Sequence, residues 1–161
     1  MTLNRRSFLT GTVAMGGLAA VLGLPATADE GPFEITLSEE TWRARLTPAQ
    51  FAVLREEATE RPFSSPLNEE YRSGTFHCAG CDNPLYESAT KYDSGTGWPS
   101  FWEAIEGRVA TKEDWSFFLG TRTEVHCARC GGHQGHIFAD GPAPTGMRHC
   151  INGVALRFVA A

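Results

Sequence analysis

Four of the five cysteines in this 161-residue chain fall into two Cys-x-x-Cys pairs, Cys78/Cys81 and Cys127/Cys130. No other feature limits the possible folds as much. Two intervening residues let one tight turn aim both sulfurs at a single point. Two such turns supply the four thiolates of a tetrahedral zinc site. With every vertex taken by protein, one Zn2+ per chain would be structural, with no position open for catalysis. The two knuckles also match in sequence, His77-Cys78-Ala79-Gly80-Cys81 and His126-Cys127-Ala128-Arg129-Cys130. The fold must bring them face to face. A c-type haem would need histidine directly after the second cysteine, where Asp82 and Gly131 stand. A pair of redox-active dithiols or disulfides is the other reading of this spacing, and an oxidising compartment would favour it.

The chain between and around the knuckles reads as short strands broken by turns. In Leu46-Thr47-Pro48-Ala49-Gln50-Phe51, Thr47 can cap a helix and Pro48 suits its first position. Gln50 completes a capping box, so a short helix is predicted over 48–59. Candidate strands follow at 74–77, 109–110, 116–119, 121–126 and 154–159, punctuated by glycine and proline. The expected fold is mainly β, with antiparallel sheets in a small barrel-like domain and one or two amino-terminal helices. That domain is placed at 42–161, with 29–41 as a linker. The length suits one domain rather than two.

Residues 1–28 read as an address. Arg5-Arg6 precedes Phe8-Leu9, an uncharged glycine-containing run follows to Leu24, and Ala26-Thr27-Ala28 offers a cleavage site. This is the layout of a twin-arginine export signal, and it predicts a periplasmic or otherwise exported protein. A short membrane anchor is the competing reading. The uncharged run from Phe8 to Leu24 falls short of the roughly 20 apolar residues that span a bilayer. No stable membrane insertion is therefore expected after cleavage. The net charge of −5, without a basic cluster, argues against nucleic acid as a partner. The chain is expected to be a monomer.

Cys150 is the cysteine left over. Such a residue is often inert and buried. Its neighbours suggest chemistry instead. Arg148 lies two residues earlier, on the same face of an extended segment, where its charge would favour thiolate over thiol. His133 and His136 offer imidazoles that move protons near neutral pH. His149 alternates to the opposite face. Taken singly, Arg148 could be a surface charge, the histidines a polar loop, and Trp98 core.

Together these segments resemble a family. Gly97-Trp98-Pro99-Ser100-Phe101, the run from Gly132 to Pro142, and Arg148-His149-Cys150-Ile151-Asn152 are similar to the B-type methionine sulfoxide reductases. The Leu-Thr-Pro helix start and both knuckles fit the same family, in matching order from about Trp42 to Phe158. The resemblance implies reduction of methionine-R-sulfoxide, free or in proteins, by Cys150. It implies that His133, His136 and Arg148 assist, that Trp98 packs on the substrate methyl, and that Asn152 helps hold the site. Many members carry a resolving cysteine in the segment matching Ser94-Gly95-Thr96-Gly97, where this chain has Thr96. A thioredoxin-like thiol donor from outside the chain is therefore expected. A thiol–disulfide oxidoreductase built on the knuckles, or a non-enzymatic zinc-ribbon binding module, are the alternatives.

Overall fold

The capping box at Thr47 forms as its residues predict. Thr47 Oγ1 accepts from the Gln50 N–H at 3.2 Å, and Gln50 Oε1 accepts from the Thr47 N–H at 3.0 Å. Such a cap is worth about 1 kcal/mol. It starts helix α2 (Pro48–Glu56), which buries Phe51, Val53 and Leu54. Glu57 then turns left-handed (φ 56°) and ends the helix short of 59. Helix α1 (Glu39–Arg45) precedes it, capped by Ser38 and burying Trp42. It begins inside the segment expected to be a linker. Just before it, Ile35 N–H donates to the Arg129 carbonyl at 3.0 Å, and Glu34 pairs with the Arg129 guanidinium.

This architecture comes from a computed structural model that describes residues 33–116 and 120–161. The expected signal at 1–28 lies outside the described residues, as do 117–119 of one expected strand. No helix among the described residues is long and apolar enough to cross a membrane.

The strands form two antiparallel sheets. The first holds β1 (Gly74–Cys78), β2 (Pro84–Glu87) and β9 (Leu156–Ala160) in the order β2-β1-β9. The second holds β3 (Lys91–Tyr92), β4 (Ser100–Phe101), β5 (Val109–Ser116), β6 (Gly120–Cys127), β7 (His133–Phe138) and β8 (Arg148–Ile151). Its order is β3-β4-β8-β7-β6-β5. The barrel expectation is corrected here. Closure needs the outer strands to pair with each other, whereas among the described residues β3 is two residues long and pairs only with β4, leaving β5 at the other edge.

What joins the sheets is aromatic packing. Phe76 of the first sheet meets Phe101 of the second edge-on at 5.0 Å, and Tyr86 stacks on Phe101 at 4.3 Å. All three are fully buried, with Leu85, Val125 and Ile151 around them. Each large apolar side chain buried this way contributes about 1.5–3 kcal/mol. The strand expected at 154–159 starts late. The Glu60 carboxylate accepts from the N–H groups of Gly153 and Val154, which pins a short 3-10 turn over Gly153–Ala155 ahead of β9.

Candidate active site and metal centre

Cys78 closes β1 and Cys127 closes β6, while Cys81 and Cys130 sit in the turns that follow. The two knuckles therefore bind one sheet to the other. All four sulfurs are buried and lie within 4.8 Å of one another. Cys78 Sγ is 3.8 Å from Cys130 Sγ, and Cys81 Sγ is 3.5 Å from Cys127 Sγ. A tetrahedral ion bound at about 2.3 Å per sulfur needs sulfur–sulfur edges of about 3.8 Å. A disulfide would need about 2.05 Å. Asn83 Nδ2 donates to Cys127 Sγ at 3.4 Å and Gln134 Nε2 donates to Cys78 Sγ at 3.6 Å. N–H groups aimed at sulfur suit thiolates. The cage can hold one metal ion, and the disulfide reading of the spacing is not realised. His77 and His126 are outside the four-sulfur group.

Cys150 lies on the central strand β8, paired with Ser100 of β4 on one side and His136 of β7 on the other. Alternation places Arg148 and Cys150 of β8, with His136 and Phe138 of β7, on one face, and turns His149 to the other. There His149 Nδ1 meets the Tyr86 hydroxyl at 3.2 Å. The close pairing of β7 and β8 depends on Gly135: a Cβ there would stand 2.0 Å from the Cys150 carbonyl oxygen. Above this face opens a cavity of about 150 Å³ lined by Cys150, His136, Trp98, Asn152, Thr59, Arg122, Gly135 and Phe138. A larger groove of about 700 Å³ between α2 and β9 is lined by neither cysteine nor histidine.

The two histidines differ in setting. His136 Nε2 donates to Asp114 Oδ2 at 2.8 Å, and Asp114 is also paired with Arg122. Burial pushes the His136 imidazolium down, and the Asp114 carboxylate opposes that shift only in part. His136 is therefore neutral at rest. His133 does not line the cavity. Its ring lies 5.5 Å behind that of His136, and its Nδ1 bonds the buried Glu124 at 2.9 Å. Glu124 in turn pairs with Lys112 at 2.9 Å, and Lys112 reaches Glu57 at 2.7 Å. Burial alone would raise the Glu124 carboxyl, but His133 and Lys112 outweigh it and hold the group below the usual range. Each histidine is thus backed by a carboxylate, and each carboxylate by a cation.

Arg148 acts on Cys150 in the direction its charge implies, lowering the thiol pKa. Its guanidinium is shared, however, with Asp140 in a two-pronged pair at 2.8 and 2.9 Å, and lies over the Phe138 ring. Burial raises the Cys150 thiol above its ordinary range, and the Thr96 hydroxyl and Arg148 guanidinium beside it only reduce that shift. Cys150 rests as a thiol.

Glu60 organises the rest of the site, and no pattern in its surroundings announced it. Trp98 Nε1 donates to the Glu60 carbonyl at 3.1 Å, while Asn152 Oδ1 accepts from the Glu60 N–H at 3.0 Å. Asn152 Nδ2 donates to the Gln134 carbonyl at 3.0 Å. Asp114 and Glu124 were also missed. Opposite charges at a period of two, Lys112-x-Asp114 facing Arg122-x-Glu124 across β5 and β6, were the available signal.

A lone thiol beside a carboxylate-backed imidazole, with a sulfur cage able to hold a metal ion set apart from it, defines a cysteine-based redox site. A family profile described as the SelR domain matches residues 46–160. The chain is similar to the "Peptide methionine sulfoxide reductase MsrB" of Bradyrhizobium diazoefficiens, 55% identical over 77% of this chain and 89% of that one. The protein of the same name from Methanosarcina barkeri is 55% identical over 75% of this chain and 85% of its own. The one from Agrobacterium fabrum is 47% identical over 78% and 93%. The chain belongs to the SelR family of B-type methionine sulfoxide reductases.

Proposed function

We propose that this enzyme reduces methionine-R-sulfoxide, free or in proteins, to methionine, with Cys150 as its nucleophile. The observation that carries the reading is the small cavity where the thiol outside the sulfur cage meets His136 and the Trp98 ring. Cys150 passes its proton to neutral His136, and Asp114 stabilises the imidazolium. The thiolate attacks the sulfoxide sulfur, and the imidazolium returns the proton to the sulfoxide oxygen. The S–O bond of the substrate breaks and the oxygen ends on Cys150. One thiol and one sulfoxide give one sulfenic acid and one thioether. Trp98 supplies an apolar wall for the methyl group. Asn152 fixes the strand beside it, Arg148 with Asp140 sets the charge at the rim, and His133 steadies His136 from behind.

Thr96 cannot form a disulfide, so an external thioredoxin-like dithiol restores the enzyme. Two donor thiols give one disulfide, one water and the Cys150 thiol. The cage formed by Cys78, Cys81, Cys127 and Cys130 suits one structural Zn2+ per chain, which would crosslink the two sheets and take no part in the reaction. The amino-terminal signal directs a monomer to the periplasm by the twin-arginine route. Loading zinc in the reducing cytosol before export would protect the four thiols from random pairing. A thiol–disulfide oxidoreductase would need the knuckle sulfurs exposed, and they are buried.

The test uses separated R and S sulfoxides of a methionine derivative with a strong chemical thiol. Wild type consumes only the R form, and Cys150→Ser consumes neither. Activity on the S form, or survival in Cys150→Ser, contradicts the reading.

A further inference from the structure

Three hydroxyls in a row end at the Cys150 sulfur. Ser100 Oγ donates to the Trp98 carbonyl at 3.1 Å. Ser100 Oγ and Ser94 Oγ are 2.7 Å apart, Ser94 Oγ and Thr96 Oγ1 are 2.8 Å apart, and Thr96 Oγ1 lies 3.9 Å from Cys150 Sγ. Each hydroxyl carries a single proton. The Trp98 carbonyl can only accept, so it commits the proton of Ser100. Ser94 must then donate to Ser100, and Thr96 to Ser94. Thr96 has no proton left for the sulfur and can only accept from the S–H group. The 3.9 Å separation, at the outer edge of sulfur bonding, suits so weak a donor.

We propose that Ser100, Ser94 and Thr96 form a polarity chain whose protons point away from Cys150 at rest and must reverse when the thiolate forms. A thiolate needs a donor, so Thr96 must turn its proton to sulfur and Ser94 must turn its own to Thr96. Ser100 and Ser94 then face each other at 2.7 Å with no proton between them, unless Ser100 gives up the Trp98 carbonyl. Either outcome costs one hydrogen bond. The chain therefore sets how readily the nucleophile is made, and these residues are positioning residues acting through Thr96. The proposal rests on Cys150 being the reacting thiol.

The charged and titratable groups around Cys150 are Arg148 on β8, Asp140 after β7, His136 on β7, Arg122 on β6 with Asp114 on β5, and Tyr92 on β3. None of them belongs to the chain, so hydroxyl substitutions leave their charges in place.

The experiment is the pH dependence of Cys150 alkylation by iodoacetamide in the metal-loaded protein, read at the Cys150 peptide by mass. It needs no substrate, so its outcome is separate from that of the sulfoxide assay. Thr96→Val removes the hydroxyl that donates to the thiolate, a charge-assisted bond stronger than the neutral one the reversal costs, and raises the midpoint by about half a pH unit or more. Thr96→Ser keeps the midpoint near wild type. Ser100→Ala and Ser94→Ala each release the reversal cost and lower the midpoint. Opposite signs for Thr96→Val and the two serine variants are the signature. Midpoints that all move the same way, or that stay at the wild-type value, overturn the proposal.

Discussion

Thr96 Oγ1 and Cys150 Sγ stand 3.9 Å apart, so a hydroxyl occupies the place beside the reactive sulfur where a second thiol would have to sit. A single substitution tests what that position controls. Thr96→Cys brings a second sulfur next to Cys150. After one turnover the variant should lose two hydrogens in intact mass, as an intramolecular disulfide forms, whereas wild type should gain one oxygen. A variant that stops at the sulfenic acid would show that proximity to Cys150 is not what decides the route.

His136 owes its orientation and part of its proton affinity to Asp114. Asp114→Asn should lower the rate of the chemical step by roughly ten- to a hundredfold, part of what positioned acid–base groups supply. KM should change little, because Asp114 does not line the cavity. Removing the carboxylate lowers the His136 pKa further, so the loss grows at neutral pH and shrinks as alkaline pH ionises Cys150 directly. Rate profiles from pH 6 to about 10, compared with wild type, measure this.

The sulfur cage joins the ends of β1 and β6, so an ion held there would tie one sheet to the other. Without it the cage is four buried thiols with no shared partner. A chelator strong enough to strip zinc should abolish the cooperative thermal transition or lower its midpoint by tens of degrees, given binding energies of about 10 kcal/mol or more at such sites. Activity should disappear with the fold rather than before it. Metal analysis by plasma emission should give one zinc per chain in the native protein.

His149 faces away from the cavity and is half-buried against Tyr86, and that burial pulls its pKa down to about 4. In the unfolded chain it titrates near 6.5. Between these values the unfolded state binds more protons, so stability is fully present above about pH 6.5 and is lost as pH falls toward 4. The size is on the order of 3 kcal/mol. Urea unfolding of wild type and His149→Gln at pH 7 and pH 4.5 isolates it. The variant should show the smaller acid loss.

The knuckles, the capping box and the face shared by Arg148 and Cys150 were legible because each is set by local spacing. The direction of the Cys150 shift was not, because burial is set by how the sheets pack. Burial outweighs Arg148, whose charge is shared with Asp140 across a turn. The barrel failed for a similar reason. Alternation identifies strands but says nothing about whether the two edge strands meet, and β3 is too short to close the ring. Glu60 gave no signal at all. Its role rests on the Trp98 indole 38 positions away, and on the Asn152 side chain and the Gly153 and Val154 N–H groups 92 to 94 positions away.

The central claim is that one cysteine carries the chemistry without a partner in its own chain. A single turnover with R-sulfoxide and no reductant tests it most directly. The predicted result is one methionine formed per enzyme, a mass gain of one oxygen, and a dimedone adduct on the Cys150 peptide alone. A disulfide between Cys150 and any of Cys78, Cys81, Cys127 or Cys130, or methionine formed beyond one equivalent, would contradict it.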